Sequence, residues 1–415
     1  MISKFMPIAN KLKNAYYQGG VKEVFYGAFH LGSGKVINII SPSISENKIL
    51  RSEDILDGTT KVTDYVKLPT KGNLAPLQQS ESRNPFNEMK DEAEFLQSYQ
   101  YSYRPSYIYE MEDVRLLGPK GIGITKDGTI LEDSITMPRQ ERIETSIQES
   151  YKYHPLLTME TLYTARRSSD ENSQTLDCAC SLFSGWNNYY HWILEHLSKL
   201  RGIEYYKAKT GTQPTFIIPN DPPSYIHDTL ELLDIKSSNC LEWQSPAIDV
   251  KNLVLPSYPE ANPENLHWLR TNLRSSIQEE VPYNIPNRIY ISREKAPKRR
   301  VKNESEVLNL VNDFGFERVF AEDLSIKSQI RLFSKANKII GPHGAGLTNM
   351  IWGDEMTIIE IHNDYIRDHY SVLANNLGHR YIPIQGDSTQ PTELNSNIIV
   401  DVDRLEAALS GCTSR

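Results

Sequence analysis

Residues 335–349 read KANKIIGPHGAGLTN. A short apolar run, Ile339–Ile340, leads straight into Gly341-Pro342-His343-Gly344-Ala345-Gly346-Leu347-Thr348. The spacing of Gly341, Gly346 and Thr348 imitates a phosphate-binding P-loop, but Leu347 stands where the lysine belongs. Gly344 and Gly346 also begin a dinucleotide fingerprint, and Asn349 stands in place of its third glycine. What survives is general anion chemistry. Glycines let backbone approach a ligand closely, and a helix start offers free N–H groups and the positive end of a dipole. His343 and Thr348 add groups that can hydrogen-bond oxygen. Taken alone, such a turn serves structure as readily as binding.

Three other groups of residues could act with it. Arg293, Lys295, Lys298, Arg299, Arg300 and Lys302 place six cationic side chains in ten residues. That is either a solvated basic loop or a clamp for a diphosphate, whose oxygens suit the guanidinium fork. Glu360 closes an apolar run, where a carboxylate can accept both hydroxyls of a ribose or serve as a cap or ion-pair partner. Upstream, Ser184 to Trp192 joins a donor-rich loop to a helix start, with His191 and Glu195 four residues apart on one helical face. The dipole at a helix start disfavours imidazolium, and a neutral imidazole is what a general base requires. A structural role for His191 fits the same spacing. Asn187, Asn188 and Trp192 are expected on the acceptor side of such a site.

Several chemistries are excluded. Without the lysine and an acid to hold magnesium, the loop does not serve an NTPase. No acidic residue follows at ribose spacing, which removes a dinucleotide oxidoreductase. Asp401-Val402-Asp403, the one Asp-x-Asp, reads as the start of the last helix, capped by Asp403. None of the ten histidines forms a ligand motif. Cys178-x-Cys180 reads as a strand with both thiols on one face. No metal site and no cofactor are expected.

The elements that must position these residues alternate. Glu112–Gly118 and Gly121–Leu131 read as a hairpin turning at Lys126-Asp127-Gly128. Strand and helix signals then alternate through residues 175–275, with Trp192, Leu194, Leu197 and Leu200 available to a core. After a break at 281–287, five strands and four helical stretches follow: 288–293, a helix from a capping box at Asn303 and Glu306, Arg318–Phe320, a helix 325–336, Lys338–Gly341, a helix start at Gly346, 356–362, a helix stopped by Gly378, and 380–384. That rhythm predicts a doubly wound parallel sheet, whose ligands bind beyond the carboxyl ends of its strands. Arg293, the glycine turn and Glu360 all fall at such ends.

The chain has 415 residues, 39% hydrophobic and 24% charged, with net charge −8 and pI near 5.8. An acidic balance argues against a nucleic-acid partner. Four scattered cysteines suit a reducing compartment. No apolar run is long enough to span a membrane and no signal peptide is evident. Ile2, Phe5, Ile8 and Leu12 recur at helical spacing among lysines, which fits a helix packed on the protein's own body or a peripheral helix on a membrane surface.

The run from Ile289 to Trp352, the upstream NNYYHWILEHLSKLRGIE and the hairpin GPKGIGITKDGTILEDS together resemble glycosyltransferase family 61. The resemblance covers roughly residues 105–385, with Gly341–Asn349 as its most specific block. It implies an α/β protein of GT-B fold: two Rossmann-like domains facing across a cleft, after an N-terminal extension. The implied boundaries are 1–100 for the extension, 101–283 for the acceptor domain, 284–395 for the nucleotide-sugar domain, and 396–415 for a helix crossing back to the first domain. It implies inverting, metal-independent transfer from a nucleotide-sugar, commonly UDP-linked, to a glycan, lipid-linked glycan or protein. Relatives move xylose, arabinose or N-acetylglucosamine. The donor set would be Arg293, Arg299, Arg300, His343, Gly344, Ala345, Gly346, Thr348, Asn349 and Glu360, with His191 as base oriented by Glu195. A prokaryotic enzyme of the cytoplasm or the inner membrane face, making surface polysaccharide or glycoconjugates, fits the composition. A non-catalytic nucleotide-sugar or glycan-binding module and a nucleotide-sugar epimerase are the competing readings.

Overall fold

The computed structural model describes residues 106–135, 140–154, 174–184, 188–244, 246–277, 285–364, 367–390 and 395–412, with short pieces at 49–51, 54–55, 64–67, 157–158, Thr161 and Glu393. The amphipathic stretch at the start and nearly all of the expected extension lie outside them.

The chain is a mixed α/β protein with two main sheets. The first has nine strands: β1 (Ile49–Leu50), β2 (Asp64–Lys67), β3 (Tyr107–Leu117), β4 (Ile122–Ile124), β5 (Ile130–Leu131), β6 (Thr175–Ser181), β7 (Thr215–Ile218), β8 (Cys240–Glu242) and β9 (Ala247–Pro256). Their order is β1-β5-β4-β3-β9-β6-β7-β8, with β2 beside β3. The β9-β6-β7-β8 part is parallel, whereas β3 runs antiparallel to both β9 and β4. The expected alternation of strand and helix therefore accounts for only part of this sheet. The other part is the hairpin, whose turn uses Gly128 at φ 87°.

The second sheet is fully parallel: β10 (Arg288–Ile291), β11 (Glu317–Val319), β12 (Lys338–Pro342), β13 (Thr357–His362) and β14 (Arg380–Gln385), in the order β11-β10-β12-β13-β14. Its central strands are near-continuous apolar text because both faces are covered. Ile289, Ile339, Ile340, Ile358, Ile359 and Ile361 are all fully buried. The chain winds outward in both directions from β10, so the switch point lies between β10 and β12, where a doubly wound sheet opens its ligand crevice. Gly378, at φ 74°, ends the helix His369–Asn376 as expected.

One hydrophobic cluster runs between the sheets. Trp192, Leu194, Leu266, Leu269 and Leu273 from the first half pack with Ile326, Ile330, Phe333, Leu347 and Met350 from the second. At about 2 kcal/mol for each side chain of this size, the shared layer is a major part of the fold's stability. On the far face of the second sheet, Leu405, Ala408 and Leu409 of the helix Val402–Ser410 pack with Val307, Val311 and Ile340. That last helix stays on the second sheet instead of crossing back. Its cap is Asp401, which accepts from the Arg404 amide at 3.1 Å, and not Asp403. The capping box at Asn303 does not close onto backbone either. Its amide instead exchanges bonds with Val400, at 2.8 and 2.9 Å.

Candidate active site at the switch point

Arg293 follows β10 by two residues, and Gly344 follows β12 by the same step. Parallel pairing of the two strands brings them together. A Cβ placed on Gly344 would lie 2.0 Å from the Arg293 Nη1, so the guanidinium occupies the space a side chain would need. Arg293 Nη2 donates to the Lys298 carbonyl at 3.0 Å, which folds the basic loop back on itself. Arg299 sits in left-handed backbone at φ 56°, an unfavourable place for a residue with a Cβ. The Nε groups of Arg293 and Arg299 are both buried and meet no acceptor, and neither arginine forms an ion pair among the described residues. Burial, then the neighbouring Arg293 and Arg367, push the Arg299 guanidinium down to about 10. Cations crowded this way and short of acceptors are arranged for a multiply charged anion. Arg300 is exposed, and its backbone pairs with Asn397 and Ile398.

Beneath the arginines lies a buried network. His343 Nδ1 lies 2.5 Å from Glu360 Oε1, and the Tyr381 hydroxyl donates to Glu360 Oε2 at 2.7 Å. His362 Nε2 is 3.0 Å from the Tyr381 oxygen and 3.5 Å from Glu360. Burial foremost, then Arg299, Arg367, His369 and Arg293, push the His343 imidazole down to about 2. Burial raises Glu360. Both effects favour a neutral imidazole, with one hydrogen between Nδ1 and the carboxyl group. Glu360 itself is fully enclosed and has both oxygens engaged, so it cannot hold a ribose as the sequence suggested. It positions His343 and Tyr381 instead.

The turn Gly344–Gly346 opens a 3₁₀ helix, Ala345–Trp352, rather than the α-helix expected. Thr348 is fully buried and lies against the Tyr370 phenol. Asn349 is enclosed by protein. Its Nδ2 donates to the Gly346 carbonyl at 3.1 Å and to Gln329 at 2.8 Å, and its Oδ1 accepts from Trp352 at 2.9 Å and from Tyr189 at 2.8 Å. An asparagine amide has two donors and two lone pairs, and all are spent here, so Asn349 is not free to bind a ligand.

From the first half comes the segment after β6. Asn188 is exposed and caps a turn, Tyr189–His191, by accepting from the His191 amide at 3.3 Å. The chain then widens into a π turn, Trp192–His196, closed by the Leu197 amide on the Trp192 carbonyl at 2.9 Å. Such turns are rare and concentrate at functional sites. His191 Nδ1 lies 2.8 Å from Glu195 Oε1, as their spacing implied. Trp192 is not on an acceptor surface: it is fully buried and donates to Thr229 at 2.8 Å. Asn187 lies outside the described residues. Tyr190 stands edge-on to His191, Tyr370 and His369, at 5.2, 5.7 and 6.0 Å between ring centres, so this segment meets the second half at the site.

Sequence reasoning placed His362 after Glu360 at its strand end without giving it a role, and missed Tyr189, Tyr190, Arg367, His369, Tyr370 and Tyr381. The two tyrosines directly before His191 were the available signal. The others converge only through the register of β13 and β14 and the start of the following helix. His343, Glu360 and His362 also place three ligand atoms within 4.8 Å of one another, a spacing that would admit a metal ion.

A parallel α/β sheet with arginines and a glycine turn at its switch point carries them where folds of this kind bind their ligands. Residues 189–359 match the family model Glycosyltransferase 61, a span that takes in His191, Glu195, the arginine loop and the glycine turn. Over that span the chain is similar to the glycosyltransferases of family 61. No curated protein matches the chain. Among solved structures, a variant of a flavo di-iron protein from Thermotoga maritima aligns at TM-score 0.22 and 9% identity, over 74% of this chain and 63% of that one. No described helix is long and apolar enough to cross a membrane.

Proposed function

We propose that the protein transfers a sugar from a UDP-linked donor to a glycan, lipid-linked glycan or protein hydroxyl, with inversion and without a divalent metal. The observation that carries this reading is the pair of arginines at the switch point: their Nε groups are buried without an acceptor, neither forms an ion pair among the described residues, and Arg293 packs against the glycine turn. In an in-line displacement, negative charge gathers on the leaving diphosphate. Arg293, Arg299 and the amides after Gly344 would meet it as preorganised donors. A neutral His343 whose Nδ1 hydrogen goes to Glu360 would line this site without donating to the phosphates. His191, on the opposite side, would take the acceptor proton, with Glu195 orienting the ring. A divalent cation at His343, Glu360 and His362 would lie beside Arg293, Arg299 and Arg367, whose charge opposes it. This supports metal independence.

The test is incubation with UDP-xylose, UDP-arabinose and UDP-N-acetylglucosamine, with and without EDTA. Release of UDP from one of them, equal in both conditions, is expected. Loss of turnover with EDTA overturns metal independence. Sugar interconversion points to an epimerase, and binding without turnover to a non-catalytic module. Arg293→Ala should cost on the order of 100-fold in turnover, the usual effect of deleting one preorganised donor.

A further inference from the structure

The two tyrosines before His191 both reach the second half. Tyr189 donates to Asn349 Oδ1 at 2.8 Å, while its ring stands edge-on to Tyr225 at 5.4 Å, which fixes it from the first half. Burial pushes the Tyr189 phenol well up, so it remains a donor. The same Asn349 amide closes the glycine turn through the Gly346 carbonyl. The bond thus runs from the residue two before the candidate base directly to the turn that would cradle the leaving group. A second tie grips the far end of the 3₁₀ helix: Arg270 Nε donates to the Ile351 carbonyl at 2.8 Å, and its Nη1 pairs with Asp354 at 2.9 Å.

We propose that Tyr189 and Asn349 are a positioning pair that sets the distance between His191 and the glycine turn. The proposal rests on the reading of His191 as base. Neither residue touches the reacting atoms; the pair holds base and leaving group in one frame. The site is therefore built already assembled at this point, with no need for the two halves to close before the turn and the base face each other. Small misplacements matter, because a shift near 1 Å can cost about 100-fold in rate.

Tyr189→Phe keeps the ring and removes one O–H···O bond. Its effect is read in a double-mutant cycle with His191→Ala, using the three UDP-sugars above for turnover, UDP calorimetry for binding, thermal unfolding for stability, and amide hydrogen exchange of residues 344–349 without substrate. Tyr189→Phe should lower turnover roughly 10-fold, leave donor KM and UDP affinity within about twofold, and raise exchange at the turn. In the His191→Ala background it should cause no further loss. Additive losses in the two backgrounds, or unchanged exchange at the turn, overturn the positioning role while leaving the base assignment in place. A wild-type rate in His191→Ala alone sinks the base assignment and the positioning role with it.

Discussion

His191 with Glu195 and His343 with Glu360 are two imidazole–carboxylate pairs of similar exposure, each ring about 11% accessible. The first is local, made by residues one π turn apart, at 2.8 Å. Its carboxylate keeps slight exposure, and Glu195 Oε2 has no hydrogen-bond partner. The second joins neighbouring strands at 2.5 Å, and its carboxylate is fully enclosed and also receives Tyr381. Three arginines act on the second ring. The difference teaches that distance to a carboxylate does not define a base. A ring pushed down to about 2 is a poor proton acceptor at neutral pH, however well oriented. On the function proposed above, the His343 pair lines the anion site and His191 takes the acceptor proton.

That division can be broken most directly by His191→Ala. Turnover should fall on the order of 1000-fold, within the range for a lost general base, while UDP affinity stays unchanged. Steady-state kinetics and calorimetry check it, and a comparable loss of UDP affinity would place His191 in the donor site. Next in size is stability. Glu360→Ala takes its partner from the buried His343 Nδ1 and breaks the bond from Tyr381, and should cost about 3–5 kcal/mol by urea unfolding. Glu195→Ala, with one partner and some solvent, should cost about 1–2 kcal/mol. Equal costs would erase the distinction between the pairs.

A smaller effect is expected from Arg299→Gly. It should weaken UDP binding about 10-fold, as for one lost charged hydrogen bond. Relief of the left-handed backbone offsets part of the lost packing, so the melting temperature should hold. A large drop in melting temperature would mean the arginine is structural. The finest test is spectroscopic. His343 should stay neutral by nitrogen-15 NMR across pH 5–8, because its value lies far below that window. Below it, the pair's first proton should land on Glu360, which burial pushes up. A His343 titration near its unperturbed value of about 6.5 would show that the arginines do not govern it.

The parallel sheet was legible because strands buried on both faces are written as short apolar runs with chemistry at their ends. Ile289–Ile291 led to Arg293, and Ile339–Ile340 led to the glycine turn. The first sheet was legible only in part. β3 pairs with β9, and Ile108 stands opposite Pro256 across nearly 150 residues of chain. No local pattern announces that. Distance also defeated the capping box, since Asn303 was claimed by Val400. Trp192 was read two ways, as a core residue by its helical spacing and as an acceptor-side residue by its polar neighbours, and the core reading is the one its full burial bears out. Tyr381 and His362 lie on adjacent strands, and only the parallel register brings them to Glu360.

Gly344 and Arg293 also constrain how this site can change over time. The guanidinium fills the volume of a missing side chain, and a methyl group at Gly344 would overlap it at 2.0 Å. An alanine there makes the end of the arginine side chain swing off the turn. Losing the arginine first removes the charge on which the proposed chemistry depends. Either first step displaces the cation, so the two positions are coupled. Among homologous chains, a substitution at either position should be found only together with a change at the other.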